Sequence, residues 1–207
     1  IINNIKTLLI ALLIAIIIRS LFFHPFYIPS SSMEPTLLVG DRIFASKYTY
    51  GYSKHSFPFS PPLFKDRIFY SKPDYGDLVI FKTPSDNRTD YIKRLIGLPG
   101  DKIQFIDGRL YINENEIRKI KIDEKYNIRC GGQDFEDTNA FQETLPNGKK
   151  YIAVYNKIGT MKNSDIYTVP KNHFFFLGDN RDCSRDSRYL SSVGYVNENN
   201  LVAKAQI

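Results

Sequence analysis

Every residue from 8 to 18 is Leu, Ile or Ala, and Leu21-Phe22-Phe23 carries the apolar character past Arg19-Ser20. As a helix over 5–23 this segment would run about 28 Å at ~1.5 Å per residue, close to the ~30 Å of a bilayer core. Lys6 and Arg19 lie near its two ends, where long cationic side chains can reach an interface. A cleaved leader would need a small-x-small junction behind the apolar run. Arg19-Ser-Leu-Phe-Phe-His-Pro25 stands there instead, and it is bulky. The expectation is a transmembrane anchor over 1–24. Its orientation is open on these residues, because Arg19 offsets Lys6 under the positive-inside rule and any charges ahead of Ile1 are uncounted.

Behind the anchor the pattern changes to short strands and turns. Asp77-Leu-Val-Ile-Phe-Lys82 is compact and β-branched, and Tyr151-Ile-Ala-Val-Tyr155, Ile166-Tyr-Thr-Val169 and His173-Phe-Phe-Phe-Leu177 read the same way. Lys102-Ile-Gln-Phe-Ile106 and Arg109-Leu-Tyr-Ile-Asn113 flank Asp107-Gly108, a strong hairpin signal. No stretch after residue 30 sustains a helical apolar period for long. The fold expected is mainly β: an N-terminal transmembrane helix followed by an antiparallel β domain with a smaller inserted region. The core would comprise 25–113 and 165–207. Residues 114–164, polar and rich in Gly and Asn, would form the insertion or a long excursion. Residues 48–73, rich in Tyr, Phe, Ser and Pro, read as a packed surface loop or as an apolar edge resting on a bilayer.

The net charge of +6 favours an anionic neighbour. No helix-turn-helix, zinc-finger or RNA-binding aromatic pattern supports nucleic acid, so a lipid bilayer is the expected partner. Cys130 and Cys183 are the only cysteines, and neither sits in a C-x-x-C. They could pair in an oxidising compartment, but free thiols are the simpler expectation.

Elimination narrows the chemistry. His24 abuts the anchor, His55 lies in a Ser/Pro-rich stretch and His173 opens a Phe run, so none suggests the base of a Ser-His-Asp triad. H-E-x-x-H is missing, and Asp179, Asp182 and Asp186 do not follow EF-hand spacing; no metal and no cofactor is expected. A serine activated by lysine remains, since burial favours the neutral amine. Moving a lysine from ~10.4 to about 7–8 takes roughly 3.5–5 kcal/mol, within the range that burial supplies. In an extended Tyr91-Ile-Lys-Arg-Leu-Ile96, Tyr91, Lys93 and Leu95 share one face and Ile92, Arg94 and Ile96 the other. Period two allows a buried Lys93 with an exposed Arg94, or the reverse. Of the two only lysine sheds its proton readily. Ser30-Ser-Ser32 before Pro35 reads, by composition alone, as a polar turn.

Three blocks together resemble type I signal peptidases over nearly the whole chain: Pro29-Ser-Ser-Ser-Met-Glu-Pro-Thr-Leu37, Tyr91-Ile-Lys-Arg-Leu-Ile-Gly-Leu-Pro-Gly-Asp101 and Gly178-Asp-Asn-Arg-Asp-Cys-Ser-Arg-Asp-Ser-Arg188. The resemblance implies Ser32 as nucleophile and Lys93 as base. Ser30 would assist the oxyanion beside the Ser32 backbone N–H, and Ser184 would orient the lysine amine. Asp186 and Arg188 would form a supporting ion pair. Ile28, Pro29, Leu37, Ile43, Ile80, Tyr91 and Ile92 would line shallow pockets for the small residues at −1 and −3 of a preprotein signal peptide. The same resemblance implies a single-pass protein of the bacterial inner (cytoplasmic) membrane with its catalytic domain on the outer, periplasmic side. Ser31 replaces the usual glycine, Glu34 a commonly uncharged residue and Cys183 a common asparagine. The non-enzymatic alternative is an anchored β-domain that binds peptides without cutting them; intact Ser32, Lys93 and Ser184 speak against it. A self-cleaving Ser-Lys regulator would need a DNA-binding module, which no segment supplies.

Overall fold

The computed structural model describes residues 2–57, 60–61, 65–156 and 160–206. One α-helix appears among them, α1 (Ile2–Leu21). It stops short of Phe23, which instead opens the first strand. Among the described residues no helix is long and apolar enough to cross a membrane.

The strands, in chain order, are β1 (Phe23–Tyr27), β2 (Arg42–Ser46), β3 (Leu78–Lys82), β4 (Asp90–Gly97), β5 (Lys102–Ile106), β6 (Arg109–Ile112), β7 (Asn115–Glu116), β8 (Arg118–Cys130), β9 (Gln133–Thr144), β10 (Lys150–Tyr155), β11 (Tyr167–Thr168), β12 (His173–Leu177), β13 (Val196–Asn197) and β14 (Leu201–Gln206). They form a seven-stranded sheet in the order β1-β2-β14-β3-β4-β12-β13, a three-stranded sheet β10-β9-β8 and a four-stranded sheet β11-β5-β6-β7. All of these pairings are antiparallel. The mainly β expectation holds. The β5–β6 hairpin turns at Asp107 and Gly108, both with positive φ (48° and 73°), as its two-residue turn requires.

β4 positions the site. It lies between β3 and β12, with Val79 opposite Lys93 and Leu78 opposite Arg94. Apolar clusters cover both of its faces. Tyr91 and Leu95 pack with Tyr50, Val79, Phe81 and Phe176, while Ile92 packs with Ile28, Met33, Leu37 and Ile80. At Lys93 and Arg94, on opposite faces of this strand, a polar side chain is therefore dry.

Residues 114–156 hold two long strands, β8 and β9, where the sequence suggested an inserted small domain or a long excursion. β8 is exposed along most of its length, although Ile120, Ile122, Tyr126, Ile128 and Cys130 alternate with polar residues along it. Within the stretch 48–73, expected as a packed surface loop or as an apolar edge on a bilayer, residues 58–59 and 62–64 lie outside the described residues. Nearby, the Arg67 guanidinium donates to the carbonyls of Tyr50, Gly51, Glu198 and Leu201 and pins this loop to β14, while Phe69 points outward.

Candidate active site

Three segments distant in sequence meet at Ser32. The first is a 3₁₀ turn, Ser31–Met33, entered from an extended Ser30 (φ −135°, ψ 152°). The second is β4, which carries Lys93. The third is the loop 178–188 behind β12.

Lys93 Nζ donates a hydrogen bond to Ser32 Oγ. Lys93 is 3% exposed and Ser32 7%. The lysine is pushed down to about 8, chiefly by burial; the Asp186 and Asp179 carboxylates oppose that shift and Arg188 adds to it. An amine of this basicity has a substantial neutral fraction near pH 7–8 and can accept a proton from the hydroxyl it touches. Ser30 Oγ lies 3.4 Å from Ser32 Oγ.

Arg94 differs from expectation. It is buried as well, because β4 is covered on both faces rather than one. Its guanidinium makes a bidentate pair with Asp179 (Nε–Oδ1 2.7 Å, NH2–Oδ2 2.6 Å) and stacks 4.5 Å from the centroid of the Tyr151 ring. Adjacent cations on one strand thus have separate fates. Arg94 is neutralised by a carboxylate, whereas Lys93 sits beside a hydroxyl.

Asp186 and Arg188 form the expected ion pair, with Nε–Oδ1 at 2.8 Å and NH2–Oδ2 at 2.9 Å. Burial works against ionisation of Asp186, yet the Arg188 guanidinium and the Gly178 N–H hold its carboxyl below the ordinary range. Ser184 does not make the expected bond to the lysine. Its Oγ is buried without a hydrogen-bond partner of normal geometry among the described residues, though it lies near enough to Asp186 to favour the ionised carboxylate. Ser184 turns instead toward Gly178, where an added Cβ would collide with Ser184 Cβ and Oγ and with the Ser32 carbonyl oxygen. Gly178→Ala is therefore expected to cost about 1–3 kcal/mol through overpacking and to displace the Ser32 turn. Thermal unfolding together with the cleavage rate tests it. A variant with wild-type stability and rate would show the contact to be slack.

The spacing of residues does not reveal Asn180. Its backbone N–H donates to the Ser32 carbonyl (3.2 Å) and its side chain to the Ser31 carbonyl (3.1 Å), so the third segment holds the first in place. Nor does it reveal the buried pair Glu143–Arg181, both 1% exposed, closed at 2.5 Å and completed by the hydroxyls of Tyr151 and Tyr155. Arg181 lies inside the third block; Glu143 sits in β9 with no sequence signal. Free thiols are not what the fold produces either. Cys130 and Cys183 are disulfide-bonded, with Cα atoms 5.3 Å apart, because the end of β8 folds back onto the loop 178–188. Glu34 accepts from the Arg129 N–H (2.8 Å) at the same junction.

Of the apolar residues expected to line a pocket, Ile28, Leu37, Ile43, Ile80 and Ile92 share one cluster with Met33, next in sequence to Ser32. Tyr91 joins the neighbouring cluster, and Pro29 is exposed.

A buried hydroxyl bonded to a weakly basic amine suits acyl transfer, the chemistry of serine peptidases. Comparison with known proteins agrees in class. The family description "Signal peptidase, peptidase S26" matches residues 1–207. A signal peptidase I of Rickettsia conorii is 46% identical over 204 residues, which cover 93% of this chain and 73% of that protein. One of Rickettsia canadensis is 44% identical over 210 residues, covering 97% and 77%. The solved signal peptidase I of Enterococcus faecalis V583 shares 28% identity and covers 66% of this chain and 98% of its own, with a TM-score of 0.39. The chain belongs to the signal peptidase S26 family of serine endopeptidases.

Proposed function

We propose that this protein is a membrane-attached endopeptidase that removes N-terminal signal peptides from exported preproteins, with Ser32 as nucleophile and Lys93 as general base. The observation that carries this reading is the buried, unpaired Lys93 amine in hydrogen-bond contact with the Ser32 hydroxyl. Neutral Lys93 takes the Ser32 proton as Oγ attacks the scissile carbonyl. The oxyanion is met by the Ser32 N–H and the Ser30 hydroxyl, donors aimed at charge that develops in the transition state. Protonated Lys93 then gives its proton to the leaving amine. An acyl-enzyme remains, and Lys93 activates the water that hydrolyses it. Asp186 and Arg188 hold the loop behind the lysine.

The apolar cluster around Ile28, Leu37, Ile43, Ile80 and Ile92, with Pro29 and Tyr91 at its margin, forms the floor for small side chains at −1 and −3. Membrane attachment is assigned to α1. Its Leu8 and Leu12 side chains are 68% and 56% exposed, and the apolar residues between them are exposed as well, a surface that water does not favour. The enzyme would then sit in the bacterial cytoplasmic membrane with its sheets on the outer side. Enzyme and substrate held in one bilayer meet at raised effective concentration. β8 and β9 act as a buttress for the loop 178–188, through the Cys130–Cys183 bond and the Glu143–Arg181 pair.

Incubating the purified chain with a preprotein that carries an Ala-x-Ala junction should yield one new N-terminus, directly after the second Ala. The neutral amine is the active form, so kcat/KM should fall as pH drops below about 8 and level off above it. A flat profile between pH 6 and 9 would remove Lys93 as the base, and cleavage elsewhere would remove the signal-peptide reading.

A further inference from the structure

A cavity of about 860 Å³ lies between the C-terminal end of α1, the β1–β2 hairpin and the turn Lys54–Ser56. It is lined by five cationic side chains, Arg19, Lys47, Lys54, Lys82 and Arg88, against two carboxylates, Asp86 and Asp90. Both carboxylates are engaged. Asp90 pairs with Lys82 at 2.9 Å, and Asp86 accepts from Thr83, Thr89 and the Arg88 N–H. A positive excess therefore remains on the wall.

Lys47 is the sharpest part of it. The residue is 6% exposed, its Nζ donates to the Ser56 carbonyl at 2.6 Å, and among the described residues no carboxylate lies within ion-pair distance. A buried cation without a counter-charge is costly, and an anion entering the cavity would relieve the cost. His55, also buried, lines the same space. Burial and the Lys54 charge push its ring down to about 4, so it enters as a neutral hydrogen-bonding group. His24, which accepts from Arg19 Nε at 3.1 Å, lies on the same wall with Ile16 and Phe26, and the wall continues into the exposed apolar side chains of α1.

We propose that this cavity binds the anionic phosphodiester headgroup of a membrane lipid whose acyl chains lie along α1. The inference rests on the assignment of α1 as the membrane attachment. Phosphate supplies the missing negative charge, and the apolar helix beside it favours a lipid over a free ion.

The chain has three histidines, so ring NMR signals report the site directly. In uncharged detergent micelles, titration with dihexanoyl phosphatidylglycerol should shift the signals of His24 and His55 saturably and leave His173 unmoved. Lys54→Gln and Arg88→Gln, at exposed positions, should each weaken binding about fivefold, and Lys47→Gln at least as much. Should Lys47→Gln fail to fold, the two exposed variants decide. Dihexanoyl phosphatidylcholine should bind at least tenfold more weakly. Equal binding of the two lipids, unmoved His24 and His55 signals, or undiminished binding in the variants would overturn the proposal. Inorganic phosphate that matched phosphatidylglycerol would overturn the lipid source. Flotation with neutral phosphatidylcholine vesicles reads the α1 attachment separately: wild type and variants should float alike. A wild-type chain left in the pellet would defeat that attachment without altering the micelle result.

Discussion

Ser32→Ala and Lys93→Ala should each leave a preprotein uncut, with losses on the order of 10⁴- to 10⁶-fold in kcat, as expected when one member of a nucleophile–base unit is removed. The double variant should be no worse than either single one, because the two side chains act in one step. Lys93→Arg is the stricter test. It keeps the charge and much of the length, but guanidinium cannot give up its proton, so activity should stay at the level of Lys93→Ala. Recovery with arginine would mean that the lysine serves only to hold Ser32.

The same lysine costs stability. Its displacement from the ordinary 10.5 to about 8 corresponds to on the order of 3 kcal/mol against the charged, buried form. Between those values the unfolded chain binds the proton and the folded one does not. The penalty is therefore complete below about pH 8 and fades as pH rises toward 10.5. Lys93→Met should accordingly unfold at a higher temperature than the wild type at pH 7, and the difference should shrink at high pH. An inactive variant that is also more stable is the signature of a side chain kept for chemistry.

The second large effect is structural. Glu143 and Arg181 are both 1% exposed, and each accounts for the other's charge. Glu143→Gln leaves the Arg181 cation buried with two tyrosine hydroxyls and no counter-charge, which should cost about 3–5 kcal/mol. For a domain of this size that is a fall in Tm of roughly 10 °C. The double variant Glu143→Leu with Arg181→Met should lose less than Glu143→Gln alone, since no unpaired charge remains. Equal losses would show that the tyrosine hydroxyls, rather than the charge, need the pair. Arg181 directly follows Asn180, which grips the Ser31–Met33 turn, so cleavage should weaken along with stability.

Much of the site was legible because its parts are local. Three short blocks carry Ser32, Lys93 and the Asp186–Arg188 pair, and the three-histidine count removes the usual base. Hairpin chemistry at Asp107-Gly108 and the β-branched runs 77–82 and 151–155 are short-range signals, and they became strands. β8 and β9 were not legible as strands: the apolar alternation of β8 from Ile120 to Cys130 is broken at Glu124 and crowded by charge, and β9 is mostly polar in sequence although only four of its twelve residues are exposed. The Cys130–Cys183 bond was hidden for a related reason: it joins residues brought close by the return of β8 onto a loop 53 positions away.

Residue identity along the chain thus specified the three blocks that carry the candidate site, the run of apolar residues at the N-terminal end and the antiparallel β character, all of which depend on neighbours a few positions apart. Burial did not follow from it. Alternation along β4 predicted one dry face, but the sheet is covered on both, so Arg94 is enclosed along with Lys93 and needs Asp179, 85 positions further on. Whether an amine is a base or a counter-ion depends on which group the fold sets against it, and that is a property of packing in three dimensions.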